Sequence, residues 1–274
     1  MAITDPLPSV TDSPPPSGLW TRIAVAVPLI AIALFAVMKG ELWFTALVSV
    51  GVLLIFAEWA VMHGIPRQWR LIGLVVLAAG CFATELQALF PAILGLLAAA
   101  GVLGILARLF KICDAKSMAG GLLYAGLPAI ALIWLRDQPQ GLGLVVWVLT
   151  LVWATDIFAY FAGRTIGGPK IAPKISPKKT WAGLVGGVIG AMVVGWFVAR
   201  WALFPAALFA SLSGGLAVVS QAGDFFESWL KRRVGVKDSG TLLPGHGGIM
   251  DRVDGLVPVA VLVAAALILK DLWR

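Results

Sequence analysis

Nine apolar runs, each close to the length that crosses a bilayer, dominate this sequence. They lie near residues 21–38, 41–62, 71–88, 91–107, 118–135, 142–163, 181–199, 203–226 and 255–270. A helix needs about 20 apolar residues to span the hydrocarbon core. Hydrophobic residues make up 60% of the chain and charged residues 13%, whereas a soluble domain carries roughly a quarter charged residues. The runs therefore predict an all-α, polytopic integral membrane protein with about nine transmembrane helices.

Basic residues are concentrated in alternate connections between these runs. The connections after the second, fourth, sixth and eighth runs carry several Lys and Arg each, whereas those after the odd-numbered runs carry one at most. Because cytoplasmic loops are enriched in Lys and Arg, we expect the even-numbered connections and the N-terminus to face the cytoplasm. The net charge of +7 then belongs to loops near anionic lipid and anionic substrates, and nucleic acid is not an expected partner.

Composition divides the chain into three parts. Residues 1–19 are rich in Pro and Ser and are predicted to form a disordered N-terminal tail, and residues 20–140 are predicted to be a scaffold of membrane helices with short loops. Residues 141–274 carry two long polar connections and acidic residues at helix ends, which predicts a catalytic region. Cys81 and Cys113 fall near opposite membrane faces, so no disulfide is expected.

The connection at 228–254 mixes cations, aspartates and glycines between two membrane helices. Glycines such as Gly247 and Gly248 let backbone N–H groups approach a phosphate closely. Aspartates offer the hard oxygen ligands that magnesium takes when it bridges nucleotide phosphates. This mixture predicts a phosphate site, and a helix-capping role is the alternative for Asp251 and Asp254.

The end of the eighth run leads into this connection with regularly spaced polar residues. Asp224, Ser228 and Lys231 stand at i, i+4 and i+7, so that one helix face presents all three. A carboxylate at the end of a membrane helix is costly unless it is paired, metal-bound or hydrated. Asp224 is therefore either a metal ligand or the ion-pair partner of Lys231.

A second polar segment, 156–183, follows the sixth run. Asp156 lies in the last turns of that helix and Arg164 just beyond it. The loop carries lysines among prolines that hold it extended, and its end, residues 176–180, leads directly into a helix whose backbone N–H groups can face an anion. A phosphate site is the favoured interpretation, and a basic loop that touches lipid headgroups is the alternative.

These residues together resemble the signature of bacterial phosphatidate cytidylyltransferases. The matching positions are Asp156, Tyr160, Gly163-Arg164, Ser176-Pro177-Lys178-Lys179-Thr180, Gly223-Asp224, Glu227-Ser228, Lys231-Arg232, Lys237-Asp238, Gly240, Pro244-Gly245-His246-Gly247-Gly248, Asp251-Arg252 and Asp254. The resemblance is detailed over about 156–254 and only hydropathic over the first half. Ala182 stands where relatives often have Glu, and it is given no role.

The resemblance implies a reaction and a set of roles. CTP and phosphatidic acid would give CDP-diacylglycerol and pyrophosphate, in a homodimer of the bacterial inner membrane whose active site faces the cytoplasm. It implies magnesium, with Asp224 and Asp251 as metal ligands and a second metal ion that could be monovalent. The expected catalytic residues are Asp224, Asp251, Lys231 and Arg252. The expected substrate-binding residues are Asp156, Arg164, Ser176, Lys178, Lys179, Thr180, Ser228, Arg232, Lys237, Asp238, His246, Gly247, Gly248 and Asp254.

Other functions and residues stay open at this point. A polyprenol kinase or an archaeol cytidylyltransferase would share the nucleotide chemistry but act on another lipid. A transporter would place polar groups at the bilayer midplane, whereas these charges lie at one face. Glu58, near the end of the second run, either reaches the active-site cleft or pairs with Arg67 or Arg70.

Overall fold

The computed structural model describes residues 19–240 and 247–272. This part contains ten helices and a two-stranded sheet: α1 Leu19–Lys39, α2 Glu41–Met62, α3 Arg67–Glu85, α4 Leu89–Leu109, α5 Ala115–Arg136, α6 Gly141–Thr165, β1 Lys170–Ala172, β2 Ser176–Thr180, α7 Trp181–Trp201, α8 Ala206–Arg233, α9 Met250–Val253 and α10 Leu256–Leu272. The tail predicted at 1–19 lies outside the described residues except for Leu19, which begins α1.

Each predicted apolar run coincides with a helix, α1 to α8 and then α10. In the described part of the chain, six of them are long and apolar enough to cross a membrane, namely α2, α4, α5, α6, α7 and α8. The protein is thus a helical, polytopic membrane protein. The count of nine crossings and the cytoplasmic N-terminus stay predictions.

Helix α5 lies at the centre of the bundle and contacts α2, α3, α4, α6 and α10. Residues of its first half, such as Met118 and Leu122, are fully buried in a core formed with α2, α3 and α4. Residues of its second half, such as Leu135, belong to a second core with α6 and α10. Helix α5 therefore packs against helices of both the predicted scaffold and the predicted catalytic region.

Glycines bring α7 against α6, the two helices that flank the polar loop. A Cβ atom at Gly183 or Gly187 would stand 2.9 Å from the backbone oxygens of Ala159 and Thr155 on α6. Small residues at this spacing let membrane helices approach closely. The close packing fixes the end of α6 and the start of α7 relative to each other, and these helix ends carry the candidate site.

A β-hairpin connects α6 to α7 and is the described part that departs from the predicted all-α fold. β1 and β2 pair antiparallel, with Lys170 opposite Thr180 and Ala172 opposite Ser176. β2 leads directly into α7, as predicted, and the Thr180 hydroxyl caps the helix by accepting a 3.1 Å hydrogen bond from the Gly183 N–H. The sequence pattern indicated an extended loop here but not the strand pairing, which joins residues four and ten positions apart.

Candidate active site

A polar cavity of about 690 Å³ lies between the C-terminal ends of α6 and α8, the N-terminal end of α7 and the β-hairpin. Its lining combines basic side chains with two carboxylates and small residues that leave room for a ligand: Asp156, Ala159, Tyr160, Gly163, Arg164, Lys170, Pro177, Lys178, Lys179, Thr180, Gly183, Leu184, Gln221 and Asp224. The walls of this cavity come from residues 156–184 and from Gln221 and Asp224 of α8, whereas no described residue of the 228–254 connection lines it.

An ion pair between Lys179 and Asp224 joins these walls. The Lys179 ammonium also lies 4.5 Å from the centre of the Phe225 ring, and Ser228 Oγ donates to Asp224 Oδ1 at 3.4 Å. The alternative that paired Asp224 with Lys231 is therefore wrong. The hairpin lysine neutralises Asp224 instead, and the cavity can accept an anion at Lys179 only with rearrangement of this pair.

Lys231 connects the end of α8 to α9. Its ammonium donates to Asp251 Oδ1 at 2.5 Å and to Glu227 Oε2 at 3.1 Å. Glu227 is 1% exposed, so Lys231 supplies a hydrogen-bond partner to a carboxyl group that has almost no access to solvent. The expected catalytic role of Lys231 is thus accompanied by a positioning role, because Lys231 ties Asp251 to α8.

Asp251 is also held by the chain around it. Its Oδ2 accepts hydrogen bonds from the backbone N–H groups of Ser239 at 3.1 Å and Gly248 at 3.0 Å. Burial alone would raise the pKa of Asp251, but the hydrogen bonds from Lys231 and Ser239 lower it to about 2. Asp251 is therefore ionised at neutral pH. The Gly248 N–H, predicted to face a phosphate, is directed at this carboxylate.

Glu58 holds the same loop from the other side. Its side chain is 4% exposed, and Oε1 accepts from the Ile249 N–H at 2.9 Å. Oε2 accepts from the Met250 N–H at 2.9 Å and from the Ser239 hydroxyl at 3.1 Å. A Cβ atom at Gly240 or Gly248 would come within 2.6 Å of this carboxylate, so both positions require glycine.

The alternative that paired Glu58 with Arg67 or Arg70 is therefore wrong, since its hydrogen-bond partners lie in the loop. Glu58 is not one of the described residues that line the cavity. Sequence reasoning did not include Glu58 among the site residues. The signal that could have found it is a carboxylate inside the last turns of an otherwise apolar membrane helix, which is costly without partners.

Asp254 brings a third carboxylate towards the cavity. It is half-buried, and its Oδ1 accepts from the Gly255 N–H at 2.7 Å. Burial, together with repulsion from Asp224, raises the pKa of Asp254 to about 7. Asp156 contributes to the same repulsion. Asp156, Asp224 and Asp254 thus lie close enough to one another to interact electrostatically.

Residues 20–269 match the model of the Cytidylyltransferase family. The chain belongs to this family. It is 41% identical over 257 residues, 90% of this chain and 92% of the relative, to a phosphatidate cytidylyltransferase of Brucella abortus biovar 1 (strain 9-941). It is 38% identical to the enzyme of that name from Pseudomonas aeruginosa over 93% of this chain and 98% of the relative. A segment of 127 residues, 44% of this chain and 44% of the relative, is 43% identical to a phosphatidate cytidylyltransferase of Haemophilus influenzae.

Some of the other predicted site residues of this cytidylyltransferase lie at the cavity, and others lie away from it. Arg164 is exposed and donates to the Tyr160 hydroxyl at 2.7 Å, whereas Ser176 is half-buried at the start of β2. Four predicted residues, exposed on α8, α9 and the loop between them, are not among those that line the cavity: Arg232, Lys237, Asp238 and Arg252. Gly247 has φ +81° beside Asp251, and His246 lies outside the described residues.

The family resemblance implies that the site binds magnesium, which takes oxygen ligands. Among the described residues, no three Asp, Glu, His or Cys side chains form a closed metal cluster. Magnesium normally needs only one or two protein carboxylates, because water and substrate phosphates supply the other ligands. Asp224, half-buried at the cavity wall with Asp156 and Asp254 near it, suits that requirement. Asp251 as a second ligand stays a prediction, since both its oxygens accept hydrogen bonds.

Proposed function

We propose that this cytidylyltransferase transfers the CMP unit of CTP to phosphatidate and releases pyrophosphate, which yields CDP-diacylglycerol for phospholipid synthesis. One observation carries the proposal: a basic cavity with carboxylates in its wall lies at the ends of membrane-spanning helices. Such a place admits a soluble nucleotide from one side and a lipid phosphate from the other. Full-length relatives named phosphatidate cytidylyltransferase support the choice of substrates.

The transfer needs an in-line attack of a phosphatidate oxygen on the α-phosphorus of CTP. The new P–O bond forms as the bond between the α-phosphorus and the β-phosphate oxygen breaks, and pyrophosphate carries away the electron pair. Since the lipid phosphate is already ionised, no general base is required, and His246 is given no such role. Catalysis then depends on orientation and on neutralising charge.

Side chains of the hairpin and α6 are placed to neutralise that charge. Lys178, Lys179 and Arg164 line the cavity, and the Thr180 hydroxyl caps α7, whose first N–H groups can face an anion. A phosphate that binds here would compete with Asp224 for Lys179. Exchange of that lysine from carboxylate to phosphate would release Asp224 for a cation.

Asp224, with Asp251 as the proposed second ligand, would hold magnesium. The ion would supply Lewis-acid stabilisation of phosphoryl charge and a template for the reacting oxygens. Lys231, Ser239 and Glu58 keep the Asp251 loop in place through the contacts described above. The second metal and the homodimer remain part of the proposal, as does the orientation with the cavity facing the cytoplasm.

Radiolabelled CTP tests the proposal directly. Purified protein, phosphatidate and magnesium should move label from [α-³²P]CTP into the organic phase as CDP-diacylglycerol, and label from [γ-³²P]CTP should remain in water as pyrophosphate. A polyprenol kinase would give the reverse pattern with a polyprenol acceptor. Transfer to an archaeol phosphate but not to phosphatidate would exclude the proposed substrate.

A further inference from the structure

A second cavity, about 360 Å³ and almost wholly apolar, lies between α1, α2, α5, α6 and α10. In the described lining, the hydroxyl group is that of Thr150, which already donates to the Val146 carbonyl at 2.7 Å. No polar group is therefore left to hold a nucleotide or an ion. The cavity volume lies towards the low end of the range of ligand pockets, about 300–1,000 Å³, and the lining suits a hydrocarbon.

Helix α6 joins this cavity to the polar one. Val146, Leu149 and Trp153 line the apolar cavity, and Asp156 and Tyr160 line the polar cavity. Their spacing of three and four places all five on one face of the helix. At 1.5 Å per residue, the face runs about 15 Å from Val146 to Asp156, or about half the hydrocarbon core of a bilayer.

The start of α10 meets the same junction. Val253, Leu256 and Val257 line the apolar cavity, and the backbone oxygen of Asp254 would lie 2.5 Å from a Cβ atom at Gly223, the residue before Asp224 of the polar cavity. The start of α10 therefore connects the apolar cavity with the neighbourhood of the polar one, as α6 does. The arrangement matches an amphiphile with its phosphate at the carboxylates and lysines and its chain along α6.

The apolar cavity also has a lateral opening. Ile30, Leu34 and Trp153 belong to its lining and are 57%, 51% and 53% exposed, which places them at a rim. In the membrane this rim faces lipid, so a chain can enter from the side without crossing water. From these features we propose that the apolar cavity binds one acyl chain of the lipid acceptor and thereby selects its length.

This inference rests on the proposed function, because it names the part of phosphatidate that each cavity receives. Gly51 offers the sharpest test. It lies in the middle of α2 and lines the cavity, and a Cβ atom there would meet nothing within 4 Å. A larger side chain can therefore fill the cavity without displacing backbone.

The variant is Gly51→Leu, and the matched control is Gly101→Leu. Gly101 lies in the middle of α4, also has nothing within 4 Å of a Cβ atom, and is outside both cavity linings. Gly51→Leu should raise the KM for dioleoyl phosphatidate about tenfold or more, the effect of a methylene-sized change in an apolar pocket. The KM for dihexanoyl phosphatidate and for CTP should change less than about twofold, and Gly101→Leu should behave like the unchanged protein.

A second readout does not depend on turnover. Phosphatidate with a diazirine at mid-chain should crosslink to peptides of α2 and α6 in the unchanged protein, and the yield should fall in Gly51→Leu. Equal loss of activity on long and short chains, or unchanged kinetics and crosslinking, overturns the acyl-chain assignment. Failure of the unchanged protein to transfer CMP from CTP to dioleoyl phosphatidate rejects the proposed function instead, so the two failures are distinct.

Discussion

Replacing Glu58 with Gln removes the carboxylate but keeps the size of the side chain, and so tests whether the carboxylate holds the loop. Glu58 accepts three hydrogen bonds, from the Ile249 and Met250 N–H groups at 2.9 Å and from the Ser239 hydroxyl at 3.1 Å. Gln can keep the bonds at one oxygen, but its amide group then faces an N–H donor. A lost hydrogen bond to a charged group costs about 1.5–3 kcal/mol.

That cost acts on the loop that presents Asp251. If the whole of about 2–3 kcal/mol opposes the ordered loop, its population falls by up to about 30- to 150-fold, at 1.4 kcal/mol per factor of ten. Turnover should fall within that limit, whereas the KM for CTP should change less. Ser239→Ala removes a single hydroxyl contact and should cost about 1 kcal/mol, or about fivefold.

The assay combines steady-state transfer from CTP to phosphatidate with hydrogen exchange of the 239–250 segment. Glu85→Gln is the matched control, since Glu85 contacts Thr45 at the opposite end of α2 and should leave both readouts unchanged. Two results would refute the reasoning: normal turnover of folded Glu58→Gln, or lost turnover with unchanged exchange in the loop. The second result would mean that Glu58 acts directly on substrate.

Three further outcomes are expected. Asp224→Asn and Asp251→Asn should each lower turnover on the order of a hundredfold, and the double variant should be scarcely worse, because the effects of residues that act through one metal site are not additive. If the two losses multiply in the same transfer assay, the two residues do not share a site. Lys179→Ala should raise the KM for CTP or lower turnover in a protein that keeps its thermal stability. Unchanged kinetics would support the alternative in which the basic loop contacts lipid headgroups. Single cysteines at Lys174 and Lys237, in a background without other cysteines, should be labelled from the cytoplasmic side, and labelling in intact cells by a membrane-impermeant reagent would reverse the topology.

The helices could be predicted from the sequence because a bilayer imposes a simple rule on it. Every backbone polar group in lipid must be satisfied within its own helix, so a run such as 41–62 has one available structure. The observed helix Glu41–Met62 has the same ends. The β-hairpin was not predicted, because the pairing of Lys170 with Thr180 depends on contacts across the loop. Such contacts produce no pattern in the composition comparable to an apolar run.

The site was predictable in its residue types and less so in its partners. Lys179 and Asp224 both stood among the expected residues, but their pairing is a tertiary contact between α8 and the hairpin. Helical spacing indicated Lys231 as the ion-pair partner of Asp224, the alternative to a metal-ligand role, because spacing along a helix identifies only local neighbours. In the structure, Lys231 turns to Glu227 and Asp251.

The sequence by itself determined that this chain lies in a membrane and which segments are helical, because these follow from apolar length, and it predicted from local residue types which loops bind phosphate. Tertiary structure alone decided that Glu58 holds a loop about 190 positions away and that α6 lines an apolar cavity and a polar cavity with one face. A buried carboxylate must find its donors in space rather than along the chain, and a cavity exists only between helices that have already packed.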